Sequence, residues 1–273
     1  MLEHVAILYH PRRKQAVEEA EWLAQELQAR GVSTTVRDAW GQEVSPRLAE
    51  ASNLVAVLGG DGTIIRAARS LTPCGTPILG VNLGRVGFLA ELTPQALHEQ
   101  VDAVVAESFW IEHRSMLEVR LGNGASEERF LCLNEVSVAR GPSPRAVHVH
   151  TRIDGDAFVD YVADGVLVVT ATGSTAYSLA AGGPILYPES TDFMLTPVAP
   201  HLHIGRSILV PGDTVAELSL TGDRPGILSV DGAEERELLP HTSVQVRRSE
   251  HRAPFARLGQ QSYFYAAIAA RLT

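Results

Sequence analysis

Short apolar runs alternate with amphipathic helical segments over residues 1–107. The run at 54–58, LVAVL, is apolar at every position, which is typical of a strand buried on both faces of a parallel sheet. Residues 14–30 instead place alanine and leucine at helical spacing, with charged residues on the opposite side. This reasoning predicts strands at 4–9, 32–37, 54–58 and 76–81, and helices at 14–30, 45–53, 64–70 and 93–107. The alternation predicts a parallel sheet flanked by helices, a Rossmann-like α/β domain.

Near residue 108 the period of the pattern changes from that of a helix to the alternation of a strand. Turn signals at 122–124, at Asp154-Gly155 and at Asp231-Gly232 separate the apolar runs. Strands are predicted at 109–121, 128–140, 146–153, 157–162, 166–170, within 208–220, and at 226–230, 234–239 and 242–248. We therefore predict an α/β domain at 1–107 and a β-rich domain at 108–248. A C-terminal helix at 262–272 is expected to return to the first domain, so that about 249–273 complete it.

The composition of the chain excludes several classes of protein. The chain has 23 basic and 32 acidic residues, a net charge of −9, which argues against a nonspecific nucleic-acid binder. Its two cysteines, Cys74 and Cys132, form neither a disulfide framework nor a zinc motif. The N-terminal residues lack the apolar core of a signal peptide, and no apolar run approaches transmembrane length. The sequence therefore predicts a cytoplasmic protein with no nucleic-acid or membrane partner.

A glycine-rich pentapeptide, Gly-Gly-Asp-Gly-Thr, connects the central strand to the next helix. Glycines let a ligand approach the backbone closely, and N–H groups at a helix start favour a phosphate. The predicted phosphate-binding residues are Gly59, Gly60, Gly62 and Thr63. Asp61 would then take a proton from a hydroxyl or hold a metal ion beside the phosphates. The alternative is a plain strand-to-helix turn with Asp61 as N-cap.

A second glycine-rich stretch, VTATGSTAYSLAAGGP, occupies residues 169–184. Its hydroxyl side chains gather at the predicted start of a short helix, which is another site compatible with an anion. A serine-hydrolase interpretation fails because the stretch lacks Gly-x-Ser-x-Gly. The alternative is a capped connector without a ligand.

Several single residues allow two interpretations. Asn134 falls on the apolar face of the predicted strand 128–140, so its amide needs a hydrogen-bond partner, either a ligand or a bulge in the sheet. Its neighbour Glu135 points the other way.

Asp164 is interpreted either as a turn residue or as a carboxylate that hydrogen-bonds a ribose or an amide. Phe88, which lies in a glycine-punctuated loop, is interpreted either as a core residue or as a pocket wall against a planar ring. Two pairs of histidines lack a third zinc ligand, and we expect solvated or core histidines there: His148 with His150, and His201 with His203.

The motifs occur in a fixed order: GGDGT at 59–63, Asn134-Glu135, TGSTAYS at 172–178 and GGPI at 182–185. In this combination the chain closely resembles the NAD kinase (ATP-NAD kinase) family over nearly its whole length. The GGDGT motif alone is shared with diacylglycerol and sphingosine kinases and, more loosely, with 6-phosphofructokinases. The TGSTAYS and GGPI stretch is much more specific to NAD kinases.

The resemblance implies that the α/β domain at 1–107 binds nucleotide and that the domain at 108–248 is β-sandwich-like and binds NAD. It implies transfer of the γ-phosphoryl group of ATP to the 2′-hydroxyl of the adenosine ribose of NAD, giving NADP. It further implies a requirement for Mg²⁺ or another divalent metal, without assigning metal ligands, and use of polyphosphate by some members. NAD and ATP would be the small-molecule partners, and the protein would form a homodimer or homotetramer.

The resemblance also implies roles for individual residues. Asp61 resembles the catalytic base. Residues expected to bind NAD are Asp61, Gly62, Arg66, Asn134, Glu135, Arg145, Asp164, Thr175, Ala176, Tyr177, Ser178 and Ala180. Three positions depart from the usual pattern of the family, namely Val162, Ala171 and Ala233.

Three other functions compete with this one. The first is another GGDGT kinase, which acts on a lipid or a sugar. The second is a non-catalytic sensor of NAD or NADP, and the third is a generic two-domain scaffold. The intact Asp61 argues against the sensor, and the two glycine-rich turns argue against the scaffold.

Overall fold

The computed structural model describes residues 2–41, 44–84, 87–122, 127–142, 145–201, 205–261 and 263–272. The chain divides into two compact units, Met1–His113 with Arg252–Thr273, and Arg114–His251. Predictions that concern Asn123, Gly124, His203 and Ser262 fall outside the described residues, as do Arg85 and Val86 of the loop before Phe88.

A parallel sheet with strand order β2-β1-β3-β4 forms the core of the first unit. The elements are β1 (His4–Tyr9), α1 (Lys14–Ala29), β2 (Ser33–Asp38), α2 (Pro46–Glu50), β3 (Leu54–Gly59), α3 (Asp61–Leu71), β4 (Ile78–Asn82) and α4 (Pro94–Val105). Every residue of β3 is buried, as its continuous apolar run predicts. The strand order reverses direction between β1 and β3, and in open α/β sheets ligands bind beyond the carboxyl ends of the strands at such a point.

The second unit consists of antiparallel strands in two sheets that share one hydrophobic core. One sheet has six strands in the order β12-β11-β10-β7-β14-β15, and the other includes the neighbours β16-β13-β8-β9. Its elements are β5 (Trp110–Leu121), β6 (Glu128–Cys132), β7 (Glu135–Arg140), β8 (Val147–Ile153), β9 (Asp156–Ala163), β10 (Gly165–Val169), α5 (Tyr177–Ala180), β11 (Phe193–Val198), β12 (Ile208–Val210), β13 (Val215–Leu220), β14 (Gly226–Val230), β15 (Glu234–Leu238) and β16 (Ser243–Arg257). A parallel α/β part followed by a β-sandwich-like part confirms the predicted fold class.

The structure differs from the sequence predictions in several places. The single strand expected at 128–140 is two strands, β6 and β7, which belong to different sheets. The segment 208–220 is likewise split into β12 and β13, and the strand expected at 242–248 continues to Arg257. Strand β11 was not predicted. Helix α3 begins at Asp61 with Gly60 as its N-cap, so the interpretation of Asp61 as N-cap is wrong.

A buried arginine ties the returning C-terminal segment to the first unit. Arg257 is 1% exposed and donates to Glu112 at 2.7 Å, to Glu91 at 3.2 Å and to the carbonyl of Leu89 at 2.9 Å. Glu91 also accepts the backbone N–H groups of Leu258 and Gly259. A buried charge needs such a set of partners to offset its lost hydration. Helix α6 (Tyr263–Leu272) then ends the described chain in this unit.

None of the helices in the described part of the chain is long and apolar enough to cross a bilayer.

Candidate active site

Strand β3 delivers the GGDGT turn to the carboxyl edge of the parallel sheet. A Cβ added to Gly59 would lie 2.5 Å from the hydroxyl of Thr63, so only glycine lets the first turn of α3 pack this closely on the strand end. Thr63 is 3% exposed beneath that turn. By contrast, a Cβ on Gly62 would meet nothing within 4 Å. The backbone at the start of α3 is therefore open on one side, and N–H groups at a helix start are anion donors.

Asp61 is the first helical residue, and its carboxylate is held by the loop that follows β4. One oxygen, Oδ2, accepts the backbone N–H of Phe88 at 3.0 Å. The other, Oδ1, is buried and has no hydrogen-bond partner among the described residues. A buried carboxylate oxygen without a partner is costly, which indicates a ligand or a metal ion at this position.

Gly87 makes room for that carboxylate. A Cβ at this position would lie 1.8 Å from Asp61 Oδ1. The loop of Phe88 therefore acts on the candidate site through its backbone. Phe88 is itself half-buried, and Leu89, at 2% exposed, is the residue that packs into the core.

Gly87→Ala is expected to lower kcat at least tenfold, because the new methyl forces the Asp61 carboxylate out of its place, whereas KM for either substrate changes less. Steady-state kinetics with both substrates varied, together with a thermal unfolding curve, measure this. Gly141→Ala is the matched control, since its methyl would meet nothing within 4 Å. A Gly87→Ala enzyme with unchanged kcat would show that the position of the carboxylate does not matter.

Arg66 lies one turn further along α3. Its Nε donates to the carbonyl of Ala39 at 3.1 Å, and its guanidinium lies 4.9 Å from the centre of the Trp40 ring. The structure thus places this predicted NAD-binding residue against the segment after β2.

In the second unit, the break between β6 and β7 is organised by Asp231. Its carboxylate accepts the backbone N–H groups of Leu133 at 2.8 Å, Asn134 at 2.7 Å and Glu135 at 3.2 Å, and the thiol of Cys132 at 3.2 Å. Three N–H donors that would otherwise pair along a strand are satisfied by one side chain. The sequence indicated only a turn at this Asp-Gly pair; the role of the carboxylate was missed, because no local pattern links it to residues almost a hundred positions earlier.

The second glycine-rich stretch packs directly on this break. Thr170 donates its N–H to the carbonyl of Asn134 at 2.9 Å and its hydroxyl to that of Leu133 at 2.6 Å. A Cβ on Gly173 would lie 2.1 Å from the carbonyl oxygen of Asn134, so glycine is required there. Because Glu135 pairs with Val169 at the end of β10, the break between β6 and β7 and the TGSTAYS turn meet at one end of the six-stranded sheet.

Two acceptor atoms point to a ligand at this end of the sheet. Asn134 Oδ1 and Glu135 Oε2 are buried and have no hydrogen-bond partner within the described part of the chain. Burial raises the pKa of the Glu135 carboxyl to about 7, and the negative charge of Asp231 adds to the rise. Side-chain acceptors without partners are suited to the hydroxyl and amino donors of a nucleoside.

Glu135→Gln is expected to raise the free energy of unfolding at about pH 8 by more than at about pH 5. The unfolded chain releases this proton near the ordinary glutamate pKa of 4.5, and the folded chain holds it until its pKa of about 7. Between these values the folded state binds more protons, so stability falls as the pH rises. At about 1.4 kcal/mol for each pH unit, the full loss is about 3 kcal/mol above pH 7. Urea unfolding of both proteins at the two pH values measures it, with the exposed Glu18→Gln as control. An equal difference at both pH values would contradict the buried charge.

The hydroxyls of the TGSTAYS stretch divide into two groups. Ser174 and Ser178 are fully buried and bond within the unit, Ser174 to the carbonyl of Ala171 at 2.6 Å and Ser178 to Thr196 at 3.3 Å. Accessible positions of the predicted NAD-binding segment are Thr175, Ala176, Tyr177 and Ala180. Ser178 therefore supports the turn in this structure, and its predicted contact with NAD stays a prediction.

Two predicted residues lie at the opposite end of the same sheet. Asp164 precedes β10 and binds Arg140, Nε to Oδ1, at 3.0 Å. Since the five residues of β10 separate it from the end where Glu135 lies, the two backbone positions are about 17 Å apart, at about 3.4 Å per residue. Arg145 is exposed in the connection from β7 to β8. The structure does not bring Asp164 together with Asn134 and Glu135.

No group of three or more His, Cys, Asp or Glu side chains that could hold a metal ion occurs among the described residues. His150 pairs instead with Asp160 on the neighbouring strand, and His148 and His201 are exposed.

Comparison with known proteins matches both units. Residues 5–109 match the ATP-NAD kinase N-terminal domain family, and residues 133–258 match the ATP-NAD kinase C-terminal domain family. A NAD kinase of Dehalococcoides mccartyi is 37% identical over 275 residues, covering 100% of this chain and 96% of that protein. A NAD kinase of Chloroflexus aurantiacus is 39% identical over 273 residues, covering 100% and 99%.

Two crystal structures are similar in fold. An NAD kinase from Archaeoglobus fulgidus in complex with ATP has a TM-score of 0.79 and 25% identity, covering 97% of both chains. Yeast NADH kinase complexed with NADH has a TM-score of 0.88 at 24% identity, covering 99% of this chain and 87% of that one. The two family matches and the two bacterial relatives confirm the resemblance that the order of motifs indicated, and with it the predicted class of phosphotransferase. The chain belongs to the NAD kinase family.

Proposed function

We propose that this protein transfers the γ-phosphoryl group of ATP to the 2′-hydroxyl of the adenosine ribose of NAD, and so forms NADP. The observation that carries the proposal is the carboxylate of Asp61. It stands at an open helix start, is held by the N–H of Phe88 and keeps one buried oxygen without a protein partner. A ribose hydroxyl beside that oxygen would complete its hydrogen bonding.

The proposed step needs little covalent chemistry from the protein. The ribose 2′-oxygen bonds to the γ-phosphorus while the bond from that phosphorus to the β–γ bridging oxygen breaks, and ADP leaves. The proton of the hydroxyl passes to Asp61 and then to solvent. Phosphoryl transfer depends mostly on positioning and on neutralising charge, and a general base of this kind contributes about 10²- to 10⁴-fold in rate. Thr63 and the glycines of the turn hold the phosphates through the backbone of α3.

NAD binding is proposed for the second unit, at the end of the six-stranded sheet where β6 gives way to β7. The partnerless oxygens of Asn134 and Glu135 support an adenosine there, with Thr175, Ala176, Tyr177 and Ala180 as accessible neighbours. Contacts of Gly62, Arg66, Arg145, Asp164 and Ser178 with NAD stay predictions. The match of residues 133–258 to the ATP-NAD kinase C-terminal domain favours NAD over a lipid or a sugar as acceptor.

A divalent metal fits the residues that are present. In kinases Mg²⁺ binds through one or two carboxylates, substrate phosphates and waters, without a cage made of protein ligands alone. The partnerless Oδ1 of Asp61 is the carboxylate oxygen beside the phosphate-binding turn. When bound, the ion would neutralise charge on the transferred group. Use of polyphosphate, a cytoplasmic location and a homodimer or homotetramer stay predictions from the sequence.

The test is a panel of acceptors with ATP and Mg²⁺. NAD is expected to give NADP, detected with an NADP-specific dehydrogenase, while a diacylglycerol, sphingosine and fructose 6-phosphate give no phosphorylated product. Phosphorylation of one of those acceptors in place of NAD would assign the chain to another GGDGT kinase. Binding of NAD without consumption of ATP would make it a sensor.

A further inference from the structure

An exposed tryptophan faces a cavity beside the GGDGT turn. The cavity has a volume of about 390 Å³ and is lined by His10, Pro11, Arg12, Asp38 and Trp40. Trp40 is 49% exposed and lines this cavity, so its ring is accessible to a planar ligand. None of these residues is used by the proposed chemistry.

The tryptophan is held in place by its neighbours. The guanidinium of Arg66 lies 4.9 Å from the centre of its ring, and His10 meets the ring edge-on at 5.7 Å between centroids. Its backbone N–H donates to Asp38 Oδ1 at 2.7 Å. A ring fixed in this way loses little freedom when a planar group stacks on it, which favours binding.

Two further arginines lie on the same edge. The side chain of Arg12 is exposed at the cavity. Arg13 reaches towards the turn: its Nη1 is 3.4 Å from the carbonyl of Leu83, and its Nη2 would be 3.9 Å from a Cβ on Gly60. With Arg66, three guanidinium groups gather here in a chain whose net charge is −9. Arginine clusters of this kind recognise phosphates.

The topology puts these groups within the span of one nucleotide. Tyr9 of β1 pairs with Asp38 of β2 on one side and with Leu58 of β3 on the other. Adjacent strands are about 4.8 Å apart, so the ends of β2 and β3 are about 10 Å apart. Trp40 and Asp61 follow those two ends. They flank β1, at the reversal of strand order where α/β sheets bind ligands.

We infer that this cavity binds the phosphoryl donor: the base of ATP stacks on Trp40, and Arg12 and Arg13 bind its phosphates on the way to Asp61. The inference rests on the proposed function. Charge favours the donor over the dinucleotide, because ATP carries three phosphates where NAD carries two and a positive nicotinamide ring. The acceptor oxygens proposed for NAD lie in the other unit, at Asn134 and Glu135.

The test compares equilibrium binding of ATP, NAD and inorganic tripolyphosphate, which has the phosphates without the base. Trp40→Ala is expected to raise the Kd of ATP about 5- to 100-fold, the usual loss for one stacked base. The Kd values of tripolyphosphate and NAD should change less than twofold, and Trp40→Phe should restore ATP binding. Arg12→Ala with Arg13→Ala should weaken ATP and tripolyphosphate alike. Phe158→Ala, an aromatic residue 40% exposed in the other unit, is the matched control.

Three results with Trp40→Ala would overturn the inference: an unchanged ATP affinity, a loss of affinity confined to NAD, or an equal loss of affinity for tripolyphosphate and ATP. On the unsubstituted protein, ATP but not tripolyphosphate should protect Trp40 from oxidation by N-bromosuccinimide, read by peptide mass spectrometry. None of these measurements needs turnover. A protein that binds ATP on Trp40 yet forms no NADP would therefore contradict the proposed function and leave this inference standing.

Discussion

Asp61→Asn is expected to lower kcat by about 10²- to 10⁴-fold, the contribution of a general base, while the Kd of NAD changes only a few fold. The amide oxygen can still accept the N–H of Phe88, which holds the carboxylate in the parent protein. An amide, however, cannot take the proton of the ribose hydroxyl. Steady-state NADP formation and equilibrium binding of NAD measure the two quantities separately.

Two controls sharpen this prediction. Asp102→Asn removes the same charge from a side chain that is 84% exposed on the surface, and kcat should stay unchanged. Raising the Mg²⁺ concentration should not restore the Asp61→Asn enzyme if the aspartate acts as a base. Near-normal turnover of that variant would remove Asp61 from the mechanism, and recovery with Mg²⁺ would leave it a role in metal binding alone, without the role of a base.

Asp231→Ala is expected to reduce the free energy of unfolding by at least about 3 kcal/mol, because three backbone N–H groups lose their acceptor at about 1–3 kcal/mol each. Asp231 also has a positive φ of 53°, which alanine adopts less readily. A loss of this size is a large part of the total stability of a domain. The displaced Asn134 and Glu135 should also weaken NAD binding. Urea unfolding and a NAD titration give the two numbers.

Asp154→Ala is the matched control for this change. Asp154 has a φ of 50° and is likewise followed by glycine, and among the described residues its carboxylate accepts a single N–H, from Val215 at 2.7 Å. Its loss should therefore cost less than half as much and leave NAD binding unchanged. Asp231→Asn, which keeps one acceptor oxygen and tolerates the positive φ, should fall between wild type and Asp231→Ala. Equal losses for Asp231→Ala and Asp154→Ala would contradict the role given to Asp231.

The pattern of apolar positions predicted the parallel sheet and most strands of the second unit. A strand buried on one face has alternating apolar residues, and a strand buried on both faces has a continuous apolar run. It could not show the break between β6 and β7. Cys132, Asn134 and Val136 keep the same parity, and both apolar members are buried, so the alternation runs through the break without interruption. The cause of the break, Asp231, acts from a distant part of the chain.

Strand β11 was missed for a different reason. It contains Pro197, and proline usually excludes a run from the interior of a sheet. Here Pro197 pairs with Val166 of β10 near the end of β11, and β12 pairs only with Phe193–Leu195, so Pro197 lies beyond the ladder with β12.

The site was predictable in its motifs and less so in its geometry. Glycines at 59 and 173 stand where a Cβ would strike Thr63 or the backbone of Asn134, and such close approaches are what a glycine-rich motif encodes. The hydrogen bond from Phe88 to Asp61 and the packing of His10 and Arg66 on Trp40 depend on segments that meet only after folding. No spacing in the sequence indicated either.

The most direct measurement follows the transferred phosphate itself. The protein is incubated with NAD, Mg²⁺ and ATP labelled at the γ-phosphorus, and the dinucleotide product is purified and examined by ³¹P NMR and by digestion to its mononucleotides. We predict one label per dinucleotide, found only on the 2′-oxygen of the adenosine ribose, with one ADP formed for each. Label at another oxygen, or ATP consumed without labelled dinucleotide, would contradict the assignment.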